Sequence, residues 1–293
     1  MLTHFLLANE PFVRLAAFFL TLAAMVIWEI RAPRRALTAP KARRWANNLA
    51  LLLINSLMVR ILFPAAAVGV AAFAEAQHMG LLRIFDIPEA LAAVIAVVLL
   101  DLAIYLQHLI FHAIPLLWRL HRVHHADLDF DVTTGTRFHP IEILLSMGIK
   151  FLIIVTLGPP VLAVLIFETL LNVTAMFNHS NIAMPSPMDR ILRSLLVTPD
   201  MHRVHHSIDR AETNSNFGFC FSLWDRLLGT YRQAPALGHV AMTIGIAELR
   251  EPSKVVEIKG MLSIPFGSSA HPDSIGTRSN RAPRQRCEKK RTI

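Results

Sequence analysis

His108-Leu-Ile-Phe-His112 sets two imidazoles four residues apart, which on a helix puts them on one face. His121-Arg-Val-His124-His125 then places three at i, i+3 and i+4, and the same pentapeptide returns as His202-Arg-Val-His205-His206. With 14 histidines in 293 residues, one such triple is uncommon and two behind a pair are not a product of composition. Clustered imidazoles repel when protonated and forgo hydrogen bonds when buried. A metal ion removes both penalties, and neutral imidazole is the commonest protein ligand. The eight patterned rings exceed the capacity of one ion, so two ions sharing them is the simplest arrangement. Imidazole alone suits zinc, copper, iron and nickel equally. His4, His78, His239 and His271 have no patterned neighbours and are read as ordinary side chains.

The elements that position these rings are apolar. Of the chain, 54% is hydrophobic and only 17% charged, against about 25% charged in soluble domains. That balance excludes a disordered chain and argues for one folded partly in lipid. A first apolar run, 11–30, is followed rather than preceded by basic residues (Arg31, Arg34, Arg35, Lys41, Arg43, Arg44), the reverse of a cleavable signal peptide. It is read as a retained span. A second span covers 47–74, with Arg60 and Pro64 inside it, and a third opens at Pro88 and runs through Ile104 straight into His108. A fourth block, 141–177, is cut by Gly158-Pro159-Pro160 into two arms of about 24 Å each. Either a hairpin that crosses and returns or one that stops short fits that length.

Three spans plus a hairpin put 31–46, 118–140 and everything after 178 on one side. That side holds nearly all the lysine and arginine, so it is assigned to the cytoplasm. The net charge of +8 lies at the borders of apolar blocks and in a basic tail from Arg278 to Arg291, which argues for anionic lipid and against nucleic acid. Cys220 and Cys287 form no disulfide framework and fit a reducing compartment. The expected fold is all-α: integral membrane helices capped by a cytoplasmic helical domain that holds a dimetal site. The expected division is 1–87 as an N-terminal transmembrane region, 88–235 as the histidine domain, 236–266 as its extension and 267–293 as a disordered tail.

Polar residues within the apolar blocks bear on the site. Asp101, Tyr105 and His108 share a face of the third span, and Glu168, Asn172 and His179 share a stripe of the second hairpin arm. A carboxylate there can orient a ligating imidazole through its N–H, or it can serve interhelical hydrogen bonding. Arg122 and Arg203 are read as pointing away from the metals toward solvent or headgroups, and Trp118, Trp224 and Tyr231 as interface anchors.

The order His-x3-His, His-x2-His-His, His-x2-His-His on a hydrophobic chain resembles the fatty acid hydroxylase/sterol desaturase superfamily across roughly residues 90–235. Several stretches share in the resemblance: Asp101-x3-Tyr105, Arg137-Phe-His139-Pro140-x-Glu142, Phe177-Asn-His179-Ser-Asn181, Thr198-Pro199-Asp200-Met-His202, Asn216-Phe-Gly218 and Trp224-Asp225-x3-Gly229-Thr230-Tyr231. The resemblance implies a non-haem di-iron oxygenase acting on a sterol, a fatty acyl chain or another lipid. Two iron ions, replaceable by zinc on purification, and O₂ as co-substrate are implied with it. The implied ligands are His108, His112, His121, His124, His125, His202, His205 and His206, with His179 as an extra one and His139 as a ligand or an outer partner. Ala183 stands where the fatty acid 2-hydroxylase branch carries a further histidine, which points to the sterol-desaturase-like side. Hydroxylation and desaturation use the same ligands.

No glycine-rich dinucleotide fingerprint and no Cys-x-x-Cys-His occurs, so electrons are expected from a separate protein of ferredoxin or cytochrome type. The cell membrane is the expected location in a bacterium. The rivals are a membrane metal transporter, which would hold its ligands near mid-bilayer, and a zinc-dependent membrane hydrolase, which would want His-Glu-x-x-His.

Overall fold

The computed structural model describes residues 2–267, and among these all regular structure is helical. The expectation of a disordered tail therefore lies almost wholly outside the described residues. Five helical stretches are long and apolar enough to cross a membrane: Glu10–Arg31, Lys41–Ile84, Glu89–Ala113, Pro140–Leu157 and Val161–Asn178.

The first is one helix, α1 (Glu10–Arg31), opened by Pro11 in its first turn. The second is interrupted. Pro64 cannot continue a helix, so α2 (Lys41–Leu62) stops and α3 (Ala66–Ala76) begins anew, with Ala66 at a positive φ of 50°. The third, α4 (Glu89–Ala113), runs unbroken through the His108–His112 pair. Pro115 starts α5 (Pro115–His125), which carries the first triple. The last apolar block is the hairpin of α6 (Pro140–Leu157) and α7 (Val161–Asn178). Its turn needs glycine twice over. Gly158 has φ 62°, and a Cβ there would stand 2.1 Å from the Met79 carbonyl oxygen. That contact also sets the depth of the hairpin, whose tip reaches the loop between α3 and α4, at the end of the helices away from the histidines.

Small residues let α3 sit close to its neighbours: Ala67 and Ala71 share a buried core with Leu100, Ile154, Val164 and Phe167. The outward faces carry exposed Phe12, Phe19, Leu53, Ile61 and Leu152, the side chains expected against lipid. α1 packs on α7, and α2 on α6.

At the other end of the helices, residues 114–139 and 178–267 form a cap that closes over the linker 32–40. The Asp129 carboxylate accepts from the backbone N–H of Thr38 at 2.9 Å and of Ala39 at 2.7 Å. Arg34 Nε donates to Asp200 at 3.0 Å, and Arg35 to the Met242 carbonyl at 2.7 Å. Arg44 lies fully buried, forking onto both oxygens of Asp127 at 2.7 and 2.8 Å and reaching Asp131 at 2.7 Å. Much of the basic linker is thus spent inside the protein, not on headgroups. The segment 236–266 is built into the same cap, where Val255, Val256, Met261 and Ile264 pack with Leu51, Val123 and Ala126.

Candidate metal centre

α4 ends in the first histidine pair and α5 turns back from it, so His108, His112, His121 and His125 meet at once. A short helix, α8 (Pro199–His205), brings in the second triple, with the Thr198 side chain accepting from the Met201 N–H to cap its start. His179 stands at the C-terminal end of α7. The nine rings divide into two groups, His108, His112, His121, His125 and His205 in one and His124, His179, His202 and His206 in the other. Within each group the candidate ligand atoms lie within 4.8 Å of one another, and every ring is buried. The groups touch, since His125 and His206 stack at 4.5 Å with 17° between their planes.

Four of the nine rings are aimed by what holds the outer nitrogen. His108 Nδ1 donates to the Phe217 carbonyl at 2.8 Å and His205 Nδ1 to the Ser215 carbonyl at 2.8 Å. His179 Nδ1 donates to the Ala175 carbonyl at 2.8 Å, and His121 Nδ1 contacts Glu142 Oε1 at 2.6 Å. Phe138 stacks on His124 at 4.4 Å. Gly135 leaves room for His179, because a Cβ there would come within 3.1 Å of its Nδ1.

A carbonyl accepts only from N–H, so the protons of His108 and His205 sit on Nδ1. Their Nε2 atoms nevertheless face each other at 2.9 Å. In neutral rings that sets lone pair against lone pair, and protonating either would place a cation among eight other buried imidazoles. Burial works against that second outcome: it pushes His205, His124, His125, His202 and His206 well below the usual histidine range, His121 to about 3 and His179 to about 4. The buried nitrogens His121 Nε2 and His206 Nε2 have no hydrogen-bond partner among the described residues. Converging lone pairs, neutral rings and orphaned nitrogens fit metal ions, one per group.

Other residues singled out from the sequence are placed differently. His139 belongs to neither group. It caps α6, with Nδ1 accepting from the Ile141 N–H at 3.2 Å. Asp101 touches no imidazole. Its carboxylate accepts from the backbone N–H of Cys220 and Phe221 and from Trp224 Nε1 at 2.9 Å, holding the loop that presents the Phe217 carbonyl to His108. Glu168 pairs with Lys150 at 2.6 Å and Arg14 at 3.4 Å, and Asn172 donates to the Glu168 backbone carbonyl. The stripe Glu168-Asn172-His179 exists, but a helical stripe spans more than one environment, and only His179 reaches the rings.

Arg122 and Arg203 do not point outward. Arg122 is bonded to the Ile264 carbonyl, and Arg203 to Asp200 and the Ser180 carbonyl. Trp118, half-buried, packs on His112 at 4.8 Å.

Three contributors were not singled out as site residues. Glu142 orients His121, and its signals in the sequence are its place in the stretch Arg137-Phe-His139-Pro140-x-Glu142 and an acid two residues after Pro140 in an apolar helix. Asp225 accepts from the Phe217 N–H at 2.7 Å and the Gly218 N–H at 2.8 Å, bracing the loop from the side opposite Asp101, and burial raises its carboxyl to about 6. Arg137, fully buried, donates to the Val123 carbonyl at 2.7 Å and to the Val255 carbonyl, fixing α5 to the end of the cap.

A cavity of about 250 Å³ opens from His108, His121 and His124 between α1, α2, α4, α6 and α7, with Ile104, Phe111 and Met147 in its walls.

Residues 93–230 match the family model described as fatty acid hydroxylase. The chain is 32% identical over 149 residues to an ornithine lipid hydroxylase of Rhizobium tropici, covering 50% of this chain and 44% of that protein. It is 30% identical over 135 residues to an alkylglycerol monooxygenase of Xenopus tropicalis (45% and 28%) and 31% identical over 140 residues to a cholesterol 25-hydroxylase of Homo sapiens (46% and 49%). In each case the match spans less than half of the relative's own length. No solved structure matches the chain.

Proposed function

Since residues 93–230 match the fatty acid hydroxylase family model, we propose that the chain is a member of that family and an O₂-dependent lipid hydroxylase of the membrane. The observation that carries the reading is the pair of buried imidazole groups whose Nε2 atoms converge, His108 on His205 at 2.9 Å above all. The ions are two irons, one held by His108, His112, His121, His125 and His205, the other by His124, His179, His202 and His206. When bound, iron supplies the O₂ activation and hydrogen abstraction that an unactivated C–H bond requires, and zinc competes for the same nitrogens.

The chain's own work is positioning. Glu142 and the carbonyls of Phe217, Ser215 and Ala175 keep Nδ1 occupied, so that Nε2 of His121, His108, His205 and His179 points inward. The apolar cavity leads to His108, His121 and His124, holding a lipid chain against them and keeping water away. The cap faces the cytoplasm, where a ferredoxin or cytochrome delivers electrons. The rivals fit the geometry less well. The rings lie at the cap end of α4, not at mid-membrane, and the sequence holds no His-Glu-x-x-His.

The three relatives are named hydroxylases or monooxygenases, which supports hydroxylation over desaturation. Lipid profiles of cells with and without the protein test the proposal. A lipid gaining one oxygen is the expected result, and a loss of two hydrogens would make the protein a desaturase. No oxidised lipid at all, from protein carrying iron, would reject both.

A further inference from the structure

Besides the histidines and Asn55, Thr136 and Glu142, the cavity wall carries a further polar stretch, Gln107, Ser146, Lys150 and Asn172. Lys150 lies two turns beyond Glu142 on α6, about 12 Å further from the histidines at 1.5 Å per residue. A charged side chain at that depth is costly, and intramembrane ionisable groups mark function by default.

Its charge is balanced from behind. Glu168 accepts from Lys150 Nζ at 2.6 Å and from Arg14 at 3.4 Å, and Arg14 donates to Glu10 at 2.7 Å. Interhelical glue explains why α1, α6 and α7 carry these pairs. It does not explain why the ammonium lines the cavity beside three other polar side chains. Glu168 takes one of the ammonium's three N–H donors, and Gln107 Nε2 donates to Ser146 Oγ at 2.9 Å, which leaves the serine hydroxyl hydrogen available.

We propose that this stretch anchors an uncharged oxygen of the substrate, an ester or amide carbonyl or a hydroxyl, through donation from Lys150, and so selects the carbon that reaches the histidines. The inference rests on the lipid hydroxylase reading and adds a substrate class to it: a lipid with a hydrogen-bond-accepting oxygen about 12 Å from the carbon oxidised. Two cations and two carboxylates leave the cluster neutral, so a free carboxylate or phosphate would enter with no opposite charge to meet it. Lys150 is a positioning residue, remote from the reacting atoms.

The test compares wild type with Lys150→Met/Glu168→Gln, which removes the pair without unbalancing charge, and with Lys150→Arg, which keeps the donor. The readouts are metal content, the position of the new oxygen by tandem mass spectrometry, and lipid retained on the purified protein by native mass spectrometry. The double variant should keep its metals, lose retained lipid and yield about 10- to 100-fold less product, spread over neighbouring carbons. Lys150→Arg should restore a single position. If the double variant lost its metals, Gln107→Leu/Ser146→Ala, which spares the ion pairs, decides by the same readouts. Wild-type yield at one unchanged position in a metal-loaded variant overturns the anchor. A wild type that oxidises no lipid fails the hydroxylase reading instead. In that case, lipid retention lost in the variant supports the anchor and retention unchanged overturns it.

Discussion

Two backbone carbonyls, those of Phe217 and Ser215, determine what His108 and His205 present to each other. Replacing His124 or His205 with alanine removes a ring that no neighbour substitutes, and metal content and activity should both collapse. His78→Ala, in the loop at the far end of the helices, should leave both unchanged. His139→Ala should keep its metals and lower stability by about 1 kcal/mol, the usual cost of a lost helix cap, as a melting curve will show. Glu142→Ala should cost about 10- to 100-fold in metal affinity or activity in protein that still folds, with Glu142→Gln milder because its carbonyl still accepts from His121. Equal metal retention in Glu142→Ala and wild type would contradict the orienting role. The histidines were legible because their spacing is itself the signal. Glu142 was not, because its pairing with His121 depends on how α6 crosses α5, and the backbone acceptors leave no trace in side-chain chemistry.

Among the elements, the loop between α8 and the end of the histidine domain depends on two carboxylates. Asp101 supplies acceptors for three N–H groups and Asp225 for the two that precede them in the loop. Asp101→Ala strands one buried donor, at about 1–3 kcal/mol, and two part-buried ones, so its melting temperature should fall. Metal loss should follow from His108 losing its aim, although Asp101 touches no ring. The second element-scale test is Arg44→Met, which leaves Asp127 and Asp131 buried without their cation and should cost about 3–5 kcal/mol by denaturation. Wild-type stability in Arg44→Met would show that Asp127 and Asp131 tolerate burial alone, and in Asp101→Ala that the loop holds without its acceptor. The helical stripe through Asp101 was readable from periodicity, as were the hairpin and its break at Gly158. What Asp101 and Glu168 touch was not, because periodicity assigns a face and says nothing of the partner opposite it.

For the whole molecule, the linker 32–40, the cap and the C-terminal ends of α1, α4 and α7 lie together, and the loop between α3 and α4 lies at the other end. Single cysteines at Ala36 and Ala247, both exposed, should therefore react alike with an impermeant reagent in intact cells, and one at His78 should react oppositely. Equal labelling at all three would break the topology. The charge pattern placed these segments on one side, but for an incomplete reason. Arg34, Arg35 and Arg44 looked like border charges and are structural ties within the cap. Sequence shows where a charge stands in the chain, and only the fold shows whether a carboxylate or a carbonyl has already taken it.

The central claim is that two buried histidine groups hold the metals that put an oxygen atom from O₂ into a membrane lipid. Cells expressing the protein under isotopically heavy O₂ test it most directly, with the His124→Ala/His205→Ala double variant alongside. The account predicts a lipid carrying one heavy oxygen in the wild type and none in the variant at equal expression. Oxidised lipid whose oxygen comes from water, or heavy-oxygen product undiminished in the double variant, would contradict it.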